Sequence, residues 1–196
     1  MQTAKAHLRA RIRAARRARV ALGPALRAAD AAALAAGVHS QAPAGTLAAY
    51  VAMASEPPTD AILAAGPPLL LPRVSATADG EPALEWIRYF PGDPLHRSAL
   101  GIDEPDGPGI GSNAEPLAQC ALVVIPSLAV DGTGRRLGQG GGYYDRVIGE
   151  LGLRDTRPLI VTLLYDDEVL DDVAAEPHDC RVDVVVTPTR SIDFRR

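Results

Sequence analysis

The chain has 196 residues, 47% of them hydrophobic and 4% aromatic, with a formal net charge of −4. That length suits one α/β domain with a buried core, and the apolar runs stop too early to span a bilayer. Two cysteines, Cys120 and Cys180, are too few for a disulfide framework or a zinc site and read as reduced thiols of a cytoplasmic protein.

In chain order, the first feature is charge. Residues 1–29 hold 8 of the 20 basic residues and no acid, which leaves 12 basic and 24 acidic residues, a net of −12, for the remainder. No apolar core follows these charges, so the segment does not read as a secretory signal. Leu8, Ile12, Ala15 and Leu22 fall on one helical stripe, with the arginines expected on the outer face. A second helix is predicted from Pro24 to about residue 37. Apolar runs at 47–53, 69–74, 84–89, 121–127, 158–164 and 182–187 read as strands. Several are continuous, as in strands covered on both faces. Helices are predicted at 60–65, about 142–151 and 167–173, and PDGPGIGSNAEP (105–116) as a Pro/Gly-rich loop. This alternation predicts a single α/β domain over 1–196: a three-layer open, mostly parallel sheet with helices on both faces and the N-terminal helices packed on it.

The stretch RRLGQGGGYYDR (135–146) carries the chemistry. Glycines between a strand and a helix N-terminus let backbone N–H groups converge on an anion, and Arg135, Arg136 and Arg146 add forked donors suited to phosphate. It is not a Walker A loop, because the only lysine of the chain is Lys5; nor does it match G-x-G-x-x-G, because Tyr143 takes the last position. Lys5 and Arg9 are four apart and share a helix face. Against 19 arginines, this lone lysine suits a compact phosphate clamp; the same spacing also suits a solvated face. Asp145 and Asp179 offer hard oxygens to Mg²⁺, although surface or capping carboxylates have the same spacing. Glu56 follows the first predicted strand, where ligand-contacting residues of open sheets cluster. A nucleic-acid module built on the basic helix is disfavoured by the few aromatics.

Together these segments resemble the 5-formyltetrahydrofolate cyclo-ligase family, also called methenyltetrahydrofolate synthetases. The resemblance rests on Lys5-x-x-x-Arg9, Glu56-x-x-Thr59, YFPGDPL (89–95), GIDEP (101–105), D-x-x-G-x-R-L-G-x-G-G-G-Y-Y-D-R (131–146) and HDCRVDVVVT (178–187). It implies a fold of the ribose-phosphate isomerase and CoA-transferase type, and an ATP- and Mg²⁺-dependent conversion of 5-formyltetrahydrofolate to 5,10-methenyltetrahydrofolate. By position, Lys5, Ala6, His7, Leu8 and Arg9 would contact ATP, as would Arg136, Leu137, Gly138, Gln139, Gly140, Gly141, Gly142, Tyr143 and Tyr144. Val51 and Glu56, with Gln139, Gly140, Gly141, Gly142 and Tyr143, would face the folate. Lys5 and Arg146 would be catalytic, and Asp145 and Asp179 would hold the metal. The partners expected are ATP and the folate, with neither nucleic acid nor membrane, acting on a cytoplasmic monomer. Pro57-Pro58 departs from the family pattern, which often has an acid before Thr59, and implies a stiffer exit from the strand that carries Glu56. A phosphosugar isomerase of similar architecture, needing no ATP, is the alternative enzyme.

Overall fold

The computed structural model describes residues 2–42, 44–65, 68–77, 79–99, 101–174 and 180–195. Helices α1 (Gln2–Val20) and α2 (Pro24–Gln41) lead into β1 (Leu47–Ala48), α3 (Asp60–Ala64), β2 (Leu69–Ala76) and β3 (Pro82–Tyr89). Short strands β4 (Leu95–Arg97), β5 (Asp103–Pro105) and β6 (Gly109–Ser112) precede β7 (Leu122–Pro126), β8 (Ala129–Asp131) and β9 (Arg136–Leu137). Helix α4 (Tyr143–Leu151), β10 (Leu159–Leu163), β11 (Val169–Leu170), β12 (Val184–Val186) and β13 (Ser191–Asp193) complete the order.

The main sheet runs β13-β12-β10-β7-β1-β2-β3-β6. Its five central strands, β12 to β2, are parallel, and antiparallel pairs are confined to its two ends. The central strands are apolar on both sides because both sides are covered. Leu122 and Val124 of β7 pack with Leu34 and Val38 of α2 and Ile62 of α3, whereas Val123 and Ile125 pack with Val147, Ile148 and Leu151 of α4. At Gly37, α2 comes so close to β12 that a Cβ would overlap the side chain of Val186. The sheet therefore has the expected three layers. Among the described residues no helix is long and apolar enough to cross a membrane.

Four expectations need correction. Residues 167–173 form a 3₁₀ turn at Asp166–Glu168 followed by β11, because β11 pairs with β8 in a small sheet of order β11-β8-β9. Within 105–116, Gly109–Ser112 pair with β3 as edge strand β6, where a backbone ladder needs no apolar side chains. The first strand stops at Ala48, not residue 53, since the chain leaves the sheet there. Most telling is α1. Ala15 and Leu22 are exposed, whereas the buried stripe is Lys5, Ile12 and Arg16. Ile12 packs against Leu128, Ala129 and Leu137, so α1 covers the small sheet. Lys5 and Arg16 share that inner face, and Arg16 meets its acceptors there. Arg16 Nε and Nη2 donate to the Glu168 carboxylate at 2.6 and 2.8 Å, and Nη2 also donates to the Ser127 carbonyl at 2.7 Å.

Candidate active site

Beyond Ala48 and Pro126, at the carboxyl ends of β1 and β7, the chain departs from the sheet on both strands and leaves a cavity of about 280 Å³. Crevices at such strand ends are the ligand sites of open α/β sheets. One wall comes from the segment after β1, with Tyr50, Val51, Met53 and Glu56. The glycine loop Gly138–Gly142 and the first turn of α4 make the second wall, with Arg136 beneath them. Pro72 and Val74 of β2, Leu84 of β3, and Ile102, Asp103 and Glu104 form the third.

The loop takes the form it does because glycine permits it and α1 holds it. Gly140 and Gly142 have φ of +107° and +74°, a region costly for residues with a side chain. A Cβ on Gly138 would lie 3.1 Å from the Arg136 guanidinium. Arg9 Nε donates to the Gly138 carbonyl at 3.0 Å, and Arg13 Nη2 to the Gln139 carbonyl at 2.8 Å. In a trans peptide the N–H points opposite to the C=O. The N–H groups of Gln139 and Gly140 are thus turned away from α1. Arg9, expected as a phosphate clamp, is seen here holding a loop carbonyl.

Glu56 and Gln139 meet across the cavity. Glu56 is 4% exposed; its Oε2 accepts from Met53 N at 3.0 Å and its Oε1 from Gln139 Nε2 at 3.1 Å. Arg13 Nε and Nη2 donate to Gln139 Oε1 at 3.2 and 3.0 Å, which fixes the amide with its NH₂ toward Glu56. The Glu56 carbonyl is held by Arg27 and by the Tyr165 hydroxyl. Pro57-Pro58 leads to Thr59, whose hydroxyl accepts from Ala52 N at 3.0 Å, so the turn keeps Glu56 in the cavity wall despite the departure from the family pattern. Burial pushes the Tyr50 and Tyr144 phenols well above their ordinary value, with the Glu56 charge adding to both. Both remain neutral hydroxyls near neutral pH.

Arg136 is 3% exposed and spans the floor, donating Nη1 to the Pro126 carbonyl at 3.0 Å and Nη2 to Asp145 Oδ1 at 2.6 Å. Its buried Nε has no hydrogen-bond partner among the described residues. Asp145 lines the cavity, and its Oδ2 receives no hydrogen bond among the described residues. No group of three His, Cys, Asp or Glu suited to a metal occurs among the described residues; Asp179, the second expected ligand, lies outside them.

The structure thus gathers Val51, Glu56, the loop from Gly138 to Gly142, Tyr143, Tyr144, Arg136 and Asp145 around one space. Lys5 is buried on α1, four residues from the Arg9 that grips the loop. Ala6 and His7 are exposed, and the side chains of Leu8 and Leu137 pack with Ile12 rather than toward a ligand. Neither of the two expected catalytic residues, Lys5 and Arg146, lines the cavity. The Arg146 guanidinium pairs with the Glu81 carboxylate at 3.0 Å, an ion pair between two part-exposed side chains. Sequence reasoning assigned no role to Tyr50, Met53, Val74, Leu84 or Glu104, which line the cavity. GIDEP carried part of the resemblance, but nothing local marks Glu104 as facing a site.

A family model described as 5-formyltetrahydrofolate cyclo-ligase family matches residues 1–188. Over 152 residues the chain is 38% identical to a 5-formyltetrahydrofolate cyclo-ligase of Mycolicibacterium smegmatis, covering 75% of each. It is 29% identical over 136 residues to the Escherichia coli K12 cyclo-ligase, covering 69% of this chain and 71% of that one. The fold is similar to the NMR structure of Aquifex aeolicus 5,10-methenyltetrahydrofolate synthetase, with a TM-score of 0.72, 25% identity, and 98% and 93% of the two chains covered.

Proposed function

This chain belongs to the 5-formyltetrahydrofolate cyclo-ligase family, and we propose that it closes 5-formyltetrahydrofolate to 5,10-methenyltetrahydrofolate in an ATP- and Mg²⁺-dependent reaction. The observation that carries this reading is the meeting of Glu56 with Gln139 at 3.1 Å across one cavity. There a carboxylate suited to a folate's N–H groups faces a glycine loop suited to phosphate.

An N-formyl oxygen is a poor leaving group, so ring closure needs it activated. In the proposed sequence the formyl oxygen attacks the γ-phosphorus of ATP and the bond to ADP breaks. N10 then attacks the carbon of the resulting N5-iminium phosphate. Phosphate leaves with its electron pair, and the N10 proton is lost to solvent. Phosphoryl transfer of this kind needs positioning and charge neutralisation more than covalent help from the protein. The loop N–H groups and the remaining donors of Arg9 would hold the phosphates, with Lys5 adding a compact charge. Arg136 would bring a further donor through its partnerless Nε. Asp145, with Asp179, would hold Mg²⁺; its open Oδ2 beside the loop is the hard donor such an ion takes, and the ion would offset phosphate charge. Val51 and Tyr143 would pack on the folate, while neutral Tyr50 and Tyr144 would donate hydrogen bonds to it. Arg146 is not assigned a step. A cytoplasmic monomer with ATP and the folate as its partners completes the reading.

The test is absorbance in the band of the methenyl product, with 5-formyltetrahydrofolate as substrate. Product is expected only when ATP and Mg²⁺ are both present. Its appearance without ATP, or its absence in the complete mixture, would overturn the proposal.

A further inference from the structure

Glu104 is a carboxylate for which the proposed reaction has no task so far. It lies in β5, is 4% exposed, and lines the cavity with Val74 and Leu84. Its Oε1 accepts from Val74 N at 3.0 Å. The reason that N–H is available lies in the sheet. Strand β1 pairs with β2 only at Leu69 and Leu70, and the Leu70 carbonyl points to the β1 side, where it accepts from Ala49 N. Backbone groups of alternate residues share a side, so Val74 N–H points the same way, beyond the place where β1 has ended. Glu104 covers this gap.

A neutral amide or hydroxyl would cap that N–H equally well. A carboxylate that is 4% exposed beside Val74 and Leu84 is instead costly unless more donors reach it. An ionised carboxylate can accept about four hydrogen bonds. Among the described residues, Glu104 receives one on Oε1 and none on Oε2. Glu56 differs, with a chain donor on each oxygen. The missing donors would therefore come from whatever fills the cavity. A reduced pterin carries adjacent donors, a ring N3–H and a 2-amino group, which match a carboxylate as a guanidinium does.

We propose that Glu104 is a specificity-determining residue that accepts the N3–H and 2-amino edge of the folate's pterin ring. This rests on the cyclo-ligase reading above. The plainer role, a cap on Val74 N–H alone, would cost stability on substitution but would not distinguish one ligand from another.

The test compares KM for 5-formyltetrahydrofolate and for its 2-desamino-2-methyl analogue, in wild type, Glu104→Gln and Glu56→Gln. Wild type is expected to favour the parent compound by at least about tenfold, since a site built for a donor rejects the analogue lacking it. Glu104→Gln should bring the two KM values within about twofold by raising that of the parent, with KM for ATP unchanged. If Glu104→Gln does not fold, the wild-type preference and the charge-retaining Glu104→Asp variant decide, the latter expected to weaken the preference. An active wild type that does not discriminate would overturn this inference and leave the cyclo-ligase reading standing. So would discrimination that survives Glu104→Gln and disappears in Glu56→Gln. A wild type that turns over neither folate overturns both.

Discussion

Helices α1 and α4 flank the glycine loop in opposite ways. α1 turns cations inward: Lys5 and Arg16 are buried, while Arg9 and Arg13 grip the carbonyls of Gly138 and Gln139. α4 follows the loop directly, and a clamp was expected from its Arg146, yet that side chain points to Glu81 and stays part-exposed. Proximity in sequence to the loop therefore says little about which cation serves it. What decides is the set of acceptors that tertiary packing places opposite each helix face. α1 meets Glu168, the Ser127 carbonyl and the loop carbonyls; Arg146 meets a surface carboxylate.

This contrast can be broken most severely at Arg16. Removing one partner of a buried ion pair leaves the other charge uncompensated, at a cost of about 3–5 kcal/mol. Burial already pushes the Glu168 carboxyl above its ordinary value, against the opposing pull of Arg16. Arg16→Ala should thus lower stability by about that amount in urea or thermal unfolding. A loss below about 1 kcal/mol would show that α1 is not anchored through this pair. Lys5→Ala comes next. It should cut kcat/KM by at least about tenfold, equivalent to about 1.4 kcal/mol of transition-state stabilisation, and a wild-type rate would remove Lys5 from the phosphate site. The smallest effect is expected at Arg146, whose side chain is 36% exposed and whose partner is 62% exposed. Such pairs contribute about 0–1 kcal/mol. Arg146→Ala should leave both kcat/KM and the unfolding midpoint close to wild type, and a tenfold loss of activity would restore the catalytic role that its position in the motif suggested.

Much of the architecture was legible because parallel strands covered on both faces write themselves as continuous apolar runs, as in LVVIP and LIVTL. The glycine loop was equally plain, since four glycines in five positions serve little purpose except close approach or left-handed backbone. Edge strand β6 and strand β11 were hidden, as their pairing depends on backbone ladders with distant partners and not on side-chain pattern. The inner face of α1 was misread for a related reason. Periodicity assigns apolar residues to the inside, and it does not anticipate a cation such as Arg16, buried because a carbonyl and a carboxylate await it.

By itself, then, the sequence determined the layered α/β class, the phosphate-type loop and the family, because each is written in local composition and order. Only the folded chain decided that Arg9 and Arg13 orient the loop and that Arg146 faces elsewhere. It alone set Glu104 against the open flank of β2. Those roles depend on hydrogen-bond partners 30 to 129 positions away, and distance along the chain carries no signal of which acceptor a donor will meet.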